Sequence, residues 1–235
     1  MKVLTICLSY YNQSQDVVVR HLNYWNKYSK KIKDKITFFI VDDCSKISIN
    51  ELINLDDYLE LDIKLYRVLD DLYCNIAGVR NLSAIECKTD WMLILDMDTY
   101  VSNIMAEQLL LLIKTSFNKT AYKFNRKVLN DIKHIKHHVI HPAICLIKKC
   151  DYWDIGGCEE DLVGSYGYTD PCFWHRAKKT GLIVKNCNDI KLHYFEDGES
   201  DINRDTTKNF KLYSEKLELG NWSTDFIRFK WTKLN

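Results

Sequence analysis

The sequence predicts an α/β protein: a mixed, mainly parallel central sheet flanked by helices. Three observations carry this. Short apolar runs alternate with segments of helical spacing, the order that parallel strands joined by crossovers require. Two of those runs, "FFIVDD" and "MLILDMD", are continuously apolar, as strands covered on both faces are, and each ends in acids. Finally, 46% of the 235 residues are apolar, enough for one large domain with a substantial core.

The elements follow in order. "KVLTICLSY" reads as the first strand, and "QSQDVVVRHLNYWNKY" spaces Val17, Val18, His21, Leu22 and Trp25 along one helical face. "KITFFIVDD" is the second strand, followed by a helix-like segment from Ser48 to Tyr58 and the strand "DIKLYRVL". A helix from Asn75 to Cys87 leads into "WMLILD". Residues Thr115 to His141 are polar and irregular, a loop or an inserted hairpin. "AICLIKK" resumes as a strand, "TDPCFWHRAKKTG" is a capped helix, and "GLIVKN" and "IKLHYF" are two more strands. "DFIRFKWTKL" alternates as a C-terminal strand or tail. With only two prolines and eight glycines there is little material for a linker. We expect one domain over residues 1–195 and an extension, 196–235, packed on it.

Composition excludes several function classes. A formal net charge of +1 gives no electrostatic case for a dedicated nucleic-acid binder. The nine cysteines are odd in number, scattered and never spaced C-x-x-C, which predicts free thiols in a reducing compartment. "VLTICL" is too short for a secretory core, and no stretch reaches the roughly 18 apolar residues of a membrane span. The expected location is cytoplasmic.

The candidate site lies in the acids. In an open α/β sheet, ligands bind beyond the carboxyl ends of the strands. Asp42 and Asp43 follow "FFIV", and Asp96 and Asp98 follow "MLIL". Residues i and i+2 of an extended segment face one side, roughly 6–7 Å apart at ~3.3 Å per residue. Such a pair suits a hard divalent cation, Mg²⁺ or Mn²⁺, shared with phosphate oxygens. The alternative is a solvated loop or helix cap. Like carboxylates held together also repel and resist burial, so either a positive partner sits between them or they are well solvated.

Four ordered motifs, "TICLSYYNQ", "FFIVDDCS", "NIAGVRNLSAIECKTDWMLILDMDTYVS" and "WDIGGCEEDLVGSYGYTDPCFWHRAKKTG", resemble those of family-2-like glycosyltransferases of the GT-A (Rossmann-like) fold. The likeness spans most of residues 3–195. The last motif is similar to the C-terminal signature of inverting galactosyl- and N-acetylgalactosaminyltransferases, with a Gly-Gly turn, an acidic stretch and an Asp six residues before an Arg. The resemblance implies a UDP-sugar donor, of galactose, N-acetylgalactosamine or glucose type, and a Mn²⁺ or Mg²⁺ cofactor. It places Ser9 and Tyr11 in the nucleotide pocket and gives Asp42 or Asp43 the N3–H of uracil. Arg80 would reach the ribose or diphosphate. Asp98 would bind the metal, with Asp96 on the ribose or on the metal through water, and His193 as a third ligand. Asp170 would be the catalytic base, and Gly157 would let backbone approach the donor sugar. Two departures stand out: Ser9-Tyr10 where Pro or Thr usually precedes the first Tyr, and Thr169 where an acid often precedes the base.

Each residue also has a plainer reading. Asp170 before Pro171 suits a helix N-cap, His193 an ordinary half-buried histidine, and Gly156-Gly157 a plain positive-φ turn. Trp153, Tyr166 and Tyr168 suit either core or sugar stacking. The His134–His141 cluster, "HIKHHVIH", fits no acid-supported zinc site and reads as a solvated or acceptor-facing loop. A glycan hydroxyl is the expected acceptor. A modified nucleic-acid base is the second choice, because Arg204, Lys208, Lys211, Arg228, Lys230 and Lys233 stand among aromatics. A nucleotidyltransferase would place acids similarly, but "CLSYYNQ" lacks its Gly-rich basic loop. A catalytically dead binding module would be expected to lose Asp98 or Asp170.

Overall fold

The computed structural model describes residues 1–117, 119–129, 140–195 and 202–235. Strands β1 (Leu4–Tyr10) and β2 (Ile36–Asp42) are joined by α1 (Gln15–Asn26) and the short α2 (Lys30–Lys33). Then come α3 (Ile49–Leu52), a 3-10 turn at Leu55–Tyr58, β3 (Ile63–Val68), α4 (Ile76–Glu86) and β4 (Trp91–Asp96). β5 (Thr99–Tyr100), α5 (Asn103–Thr115), β6 (Thr120–Val128), β7 (Cys145–Lys148) and α6 (Lys149–Asp154) follow. A 3-10 turn (Glu160–Leu162), α7 (Thr169–Lys179), β8 (Ile183–Tyr194), α8 (Thr207–Leu219) and β9 (Trp231–Lys233) complete the chain.

Among the described residues nine strands form one mixed sheet in the order β5-β8-β6-β7-β4-β1-β2-β3-β9. From β3 through β2 and β1 to β4 every pairing is parallel. β7 and β9 add antiparallel partners to β4 and β3, and β6 and β8 pair in parallel beyond β7. The order 3-2-1-4 reverses between β1 and β4, so a crevice opens at their carboxyl ends, where Ser9 lies opposite Asp96.

Side chains alternate across the sheet into two apolar layers. On one face Ile6, Phe38 and Leu93 pack beneath α1 and α5; on the other Cys7, Phe39 and Ile94 pack beneath α4 and α7. In α1 the predicted stripe is buried: Val17, Val18, His21, Leu22 and Trp25. Trp25 stacks on Phe38 with ring centroids 4.3 Å apart. α4 is buried at every residue from Ala77 to Ala84, its small and apolar residues interrupted by the buried polar pair Arg80 and Asn81, and it is pressed between the sheet and the Gly156-Gly157 turn.

Several expectations change. The helix expected over Ser48–Tyr58 splits at Ile53-Asn54 into α3 and a 3-10 turn. The two strands expected in "GLIVKN" and "IKLHYF" are one, β8, with a register shift where it passes Phe124 and Asn125 of β6. β6 itself, expected as loop or hairpin, is a nine-residue interior strand. Its charges are folded onto aromatic faces: Lys123 Nζ lies 3.8 Å from the Trp174 ring centroid and Arg126 Cζ 4.0 Å from that of Tyr194. Those charges hide the strand's period in the sequence. No helix among the described residues is long and apolar enough to cross a membrane.

Candidate active site

The Asp96-Met97-Asp98 turn is fastened from both sides. His21 of α1, buried and stacked on Tyr100 at 4.0 Å, hydrogen-bonds through Nε2 to the Met97 carbonyl at 2.9 Å. A carbonyl only accepts, so this nitrogen carries the proton. Burial pushes the His21 pKa down to about 3, which keeps the ring neutral. The Phe195 N–H donates to the Asp98 carbonyl at 3.1 Å, and the Thr99 hydroxyl to Asp98 Oδ1 at 2.9 Å.

Positive partners surround the acids. Arg80 of α4, 5% exposed, bridges two of them: Nη1 donates to Asp170 Oδ1 at 2.6 Å and Nη2 to Asp96 Oδ1 at 3.4 Å. Its Nε is buried without a partner. Arg126 of β6 reaches Asp98, with Nη1 3.3 Å from both carboxylate oxygens. His141 Nδ1 lies 3.6 Å from Asp96 Oδ2, but burial lowers its pKa and favours the neutral ring. Burial, then the Asp96 charge, raises the Asp98 pKa to about 6.

Asp170 stands in the first turn of α7 and is not its cap. The helix begins at Thr169, after Tyr168 in a left-handed conformation, and the Asp170 side chain turns to Arg80. The N-cap reading is therefore replaced by an ion pair.

A second cluster of polar groups lies at the ends of β1, β2 and β3, and here the adjacent acids differ. Asp42 is fully buried and engaged: its carboxylate accepts from the N–H groups of Ser45 (2.8 Å) and Ile49 (3.2 Å) and from Arg67 Nη1 (2.5 Å). Asp43 Oδ2 accepts from the Asn75 N–H at 3.0 Å, whereas Oδ1 is buried with no partner among the described residues. Burial raises its pKa to about 6. Tyr11 lies close to Asp43 and Asp71. Burial raises its phenol pKa, with Asp71 and Asp43 adding to the shift. The surrounding loops hold Asn12, Cys44, Tyr73 and Cys74 at φ of 54°, 57°, 48° and 55°. Left-handed non-glycine residues cost about 1–3 kcal/mol each and gather where a ligand site over-determines the backbone.

Gly157 adopts φ 63°, and a Cβ there would meet Asn81 Oδ1 at 2.7 Å and Trp153 Cζ3 at 2.9 Å. The glycine thus permits close packing of the turn against α4. The acids that follow bind the C-terminal extension. Glu159 accepts from the Ser223 N–H (3.0 Å), Glu160 from Asn81 Nδ2 (2.8 Å) and the Ile227 N–H (2.9 Å). Asp161 pairs with Lys216 (2.6 Å) and Arg228 (2.7 Å). One of the tail cations singled out by charge, Arg228, is therefore structural, while Lys230 is held by its backbone, whose N–H donates to Asp70 at 2.7 Å.

His193 lies across the strand pair from Tyr100, with Nδ1 3.0 Å from the Tyr24 hydroxyl. Burial and then Lys127 lower its pKa. Among the described residues no three His, Cys, Asp or Glu side chains converge as a closed metal cage. The cluster expected at His134–His141 falls outside the described residues except for Ile140 and His141, and it is His141 that meets the acids. Arg126 and Arg67 are the site residues that sequence reasoning missed, whereas His141 belongs to the histidine cluster it read as a solvated or acceptor-facing loop. The roles of the two arginines depend on long-range pairing, and no local motif announces them.

The sequence matches no family model and no curated protein. Solved structures do match. S. aureus TarS 1–349 superposes with a TM-score of 0.69 at 14% identity, over 96% of this chain and 67% of that one; it has also been solved with UDP-GlcNAc. The Pyrobaculum calidifontis mannosyltransferase PcManGT, in complex with GDP-Man and Mn²⁺, gives 0.63 at 14% identity over 84% of this chain and 57% of that one. GalNAc-T7 with UDP, GalNAc and Mn²⁺ gives 0.68 at 14% identity over 92% and 48%. The chain has the fold of the GT-A glycosyltransferases.

Proposed function

We propose that the protein is a metal-dependent, inverting glycosyltransferase that moves a hexose from a UDP-sugar to a hydroxyl of a glycan. The observation that carries this reading is the Arg80 bridge. One guanidinium holds Asp96, on the candidate metal turn, and Asp170, the candidate base, on opposite sides of the crevice. The solved neighbours bound to UDP-GlcNAc, to GDP-Man with Mn²⁺, and to UDP with Mn²⁺ support the donor class.

The residues fit a hard cation. Asp96 and Asp98 offer oxygen alone on one turn, and burial together with the Asp96 charge makes Asp98 resist ionising, a conflict a divalent ion relieves. Mg²⁺ and Mn²⁺ sites of this kind use one or two carboxylates and complete their shell with phosphate and water. His193, engaged by Tyr24, would have to leave that hydroxyl to serve as a third ligand. Bound there, the cation neutralises charge growing on the diphosphate leaving group.

This chain's own groups do the rest. Asp43 Oδ1 accepts the uracil N3–H, while Asp42 and Arg67 hold the loop that presents it. Tyr11 lies along the base, and Ser9 and Gly157 border the ribose and the donor sugar. Arg80 fixes Asp170 through Oδ1, so that Oδ2 takes the acceptor hydroxyl's proton as its oxygen attacks the anomeric carbon from the face opposite the diphosphate. A single base on the acceptor side supports one displacement with inversion.

The test is a screen for released UDP with UDP-galactose, UDP-N-acetylgalactosamine, UDP-glucose and UDP-GlcNAc against oligosaccharide acceptors, alongside thermal shift with UDP and nucleoside triphosphates, with and without Mn²⁺. Stabilisation by triphosphates but not by UDP would refute this assignment in favour of nucleotidyl transfer.

A further inference from the structure

Arg126 puts a fixed positive charge where a divalent ion would sit. Its Nη1 stands 3.3 Å from each oxygen of Asp98, and its side chain is 18% exposed. This contact is loose. A good charged N–H···O bond measures about 2.7–2.9 Å, and the neighbouring Arg80–Asp170 bond measures 2.6 Å. A single nitrogen addresses both oxygens, so the two-nitrogen fork that makes an arginine–carboxylate pair strong is not used. The guanidinium rests instead on the Tyr194 ring, 4.0 Å from its centroid. Asp98 has a second partner in the Thr99 hydroxyl, at 2.9 Å from Oδ1.

We propose that Arg126 is an exchangeable counter-ion. It neutralises Asp98 until a divalent cation binds, and then pivots on Tyr194 to donate to the diphosphate of the incoming nucleotide. The proposal rests on the metal-dependent reading above. Two cations cannot share Asp98 without repulsion, so the metal must displace Arg126. A released guanidinium matches phosphate oxygens better than it matched Asp98, because two nitrogens can then engage. Metal and nucleotide would thereby assist each other's binding: the metal frees the arginine, and the diphosphate gives it a new partner.

The sign of the effect separates this role from a structural one. Mn²⁺ binding, followed by calorimetry and by the electron paramagnetic resonance of free Mn²⁺, would be measured for wild type, Arg126→Met and Arg126→Lys, with and without UDP. Without UDP, Arg126→Met should bind Mn²⁺ about tenfold tighter, the scale of one charged hydrogen bond. With Mn²⁺ present it should bind UDP about tenfold weaker. Arg126→Lys keeps a repelling cation but not the fork, so its Mn²⁺ affinity should stay near wild type while UDP still weakens. Circular dichroism checks the fold, and Arg126→Gln replaces the Met variant if that one fails to fold. Mn²⁺ affinity that is unchanged or reduced in a folded neutral variant overturns the proposal, and so does unchanged UDP affinity. A wild-type protein that binds neither Mn²⁺ nor UDP overturns instead the reading on which it rests.

Discussion

Asp43→Asn should strengthen the fold and weaken the nucleotide site together. The Asp43 carboxyl pKa moves from 3.8 to about 6, chiefly through burial. The folded state therefore binds this proton more tightly than the unfolded one, and stability falls as pH rises from about 4 to about 6. At pH 7 the ionised group costs the fold about 3 kcal/mol, at ~1.4 kcal/mol per unit. Asn has no charge to desolvate but must bury an amide, which lowers the expected gain to about 1–3 kcal/mol. For a chain of this size that is roughly 2–10 °C in Tm. Binding should move the other way. If the Asn carbonyl takes over the Asn75 N–H, its Nδ2 faces the uracil N3–H, donor against donor. A base-edge bond lost with its partner left buried costs about 1–3 kcal/mol, so UDP should weaken roughly tenfold or more. Wild-type affinity for UDP should also decline as pH falls below about 6, where Asp43 takes up its proton, while the variant stays flat. The assays are thermal unfolding of the ligand-free protein and calorimetric titration of UDP across pH 5–8. Wild-type UDP affinity in the variant would refute the base contact, and a lowered Tm would refute the account of an uncompensated buried charge.

Asp98→Ala should abolish the Mn²⁺-dependent part of UDP stabilisation and leave the fold intact, because the side chain lies at a strand end and is a third exposed (34%); thermal shift with and without Mn²⁺ decides it. Asp170→Asn keeps an acceptor for Arg80 but loses the proton acceptor, so transfer should fall by ~10²–10⁴-fold with UDP affinity nearly unchanged. Activity within a fewfold of wild type would refute the base role. Glu160→Ala should strand Asn81 and the Ile227 N–H, destabilising by about 3 kcal/mol and exposing residues 221–230 to limited proteolysis; an unchanged digestion pattern would show that the extension is held by other contacts.

How much of this was readable in the sequence follows from how far each residue reaches for its partner. β1, β2 and β4 are announced by their own apolar runs, and α1 by its stripe, because burial on a fixed face leaves a local period. α8 leaves none. It docks through Asn209, which donates to the carbonyls of Leu162, Ser165 and Gly167, and through Lys216 on Asp161, so it reads as solvated basic chain. The acids were visible as acids, but their division of labour was not. Asp42 and Asp43 are adjacent, and only Arg67 and Asn75, 25 and 32 residues away, tell a structural carboxylate from an unsatisfied one. In the same way the acidic stretch Glu159, Glu160 and Asp161 gains its structural role only from Ser223, Ile227 and Arg228, more than 60 residues further along the chain.

The pairing of β9 with β3 has a consequence for how this chain is made. β3 is the outer member of the parallel block, and its free edge is covered by Trp231–Lys233. Asn235 then extends the ladder with its side chain, accepting from the Leu65 N–H at 2.7 Å and donating to the Ile63 carbonyl at 2.9 Å. These partners lie 170 and 172 residues apart. During synthesis the parallel strands can assemble well before residues 231–235 exist, and throughout that interval β3 presents a bare row of N–H and C=O groups. An open edge beside apolar strands is a template for pairing with another nascent chain. Polysomes carrying many copies at once would make such encounters frequent. Yield in recombinant expression should therefore depend on chaperones that hold that edge, and lowered translation temperature should help more than stabilising the finished fold.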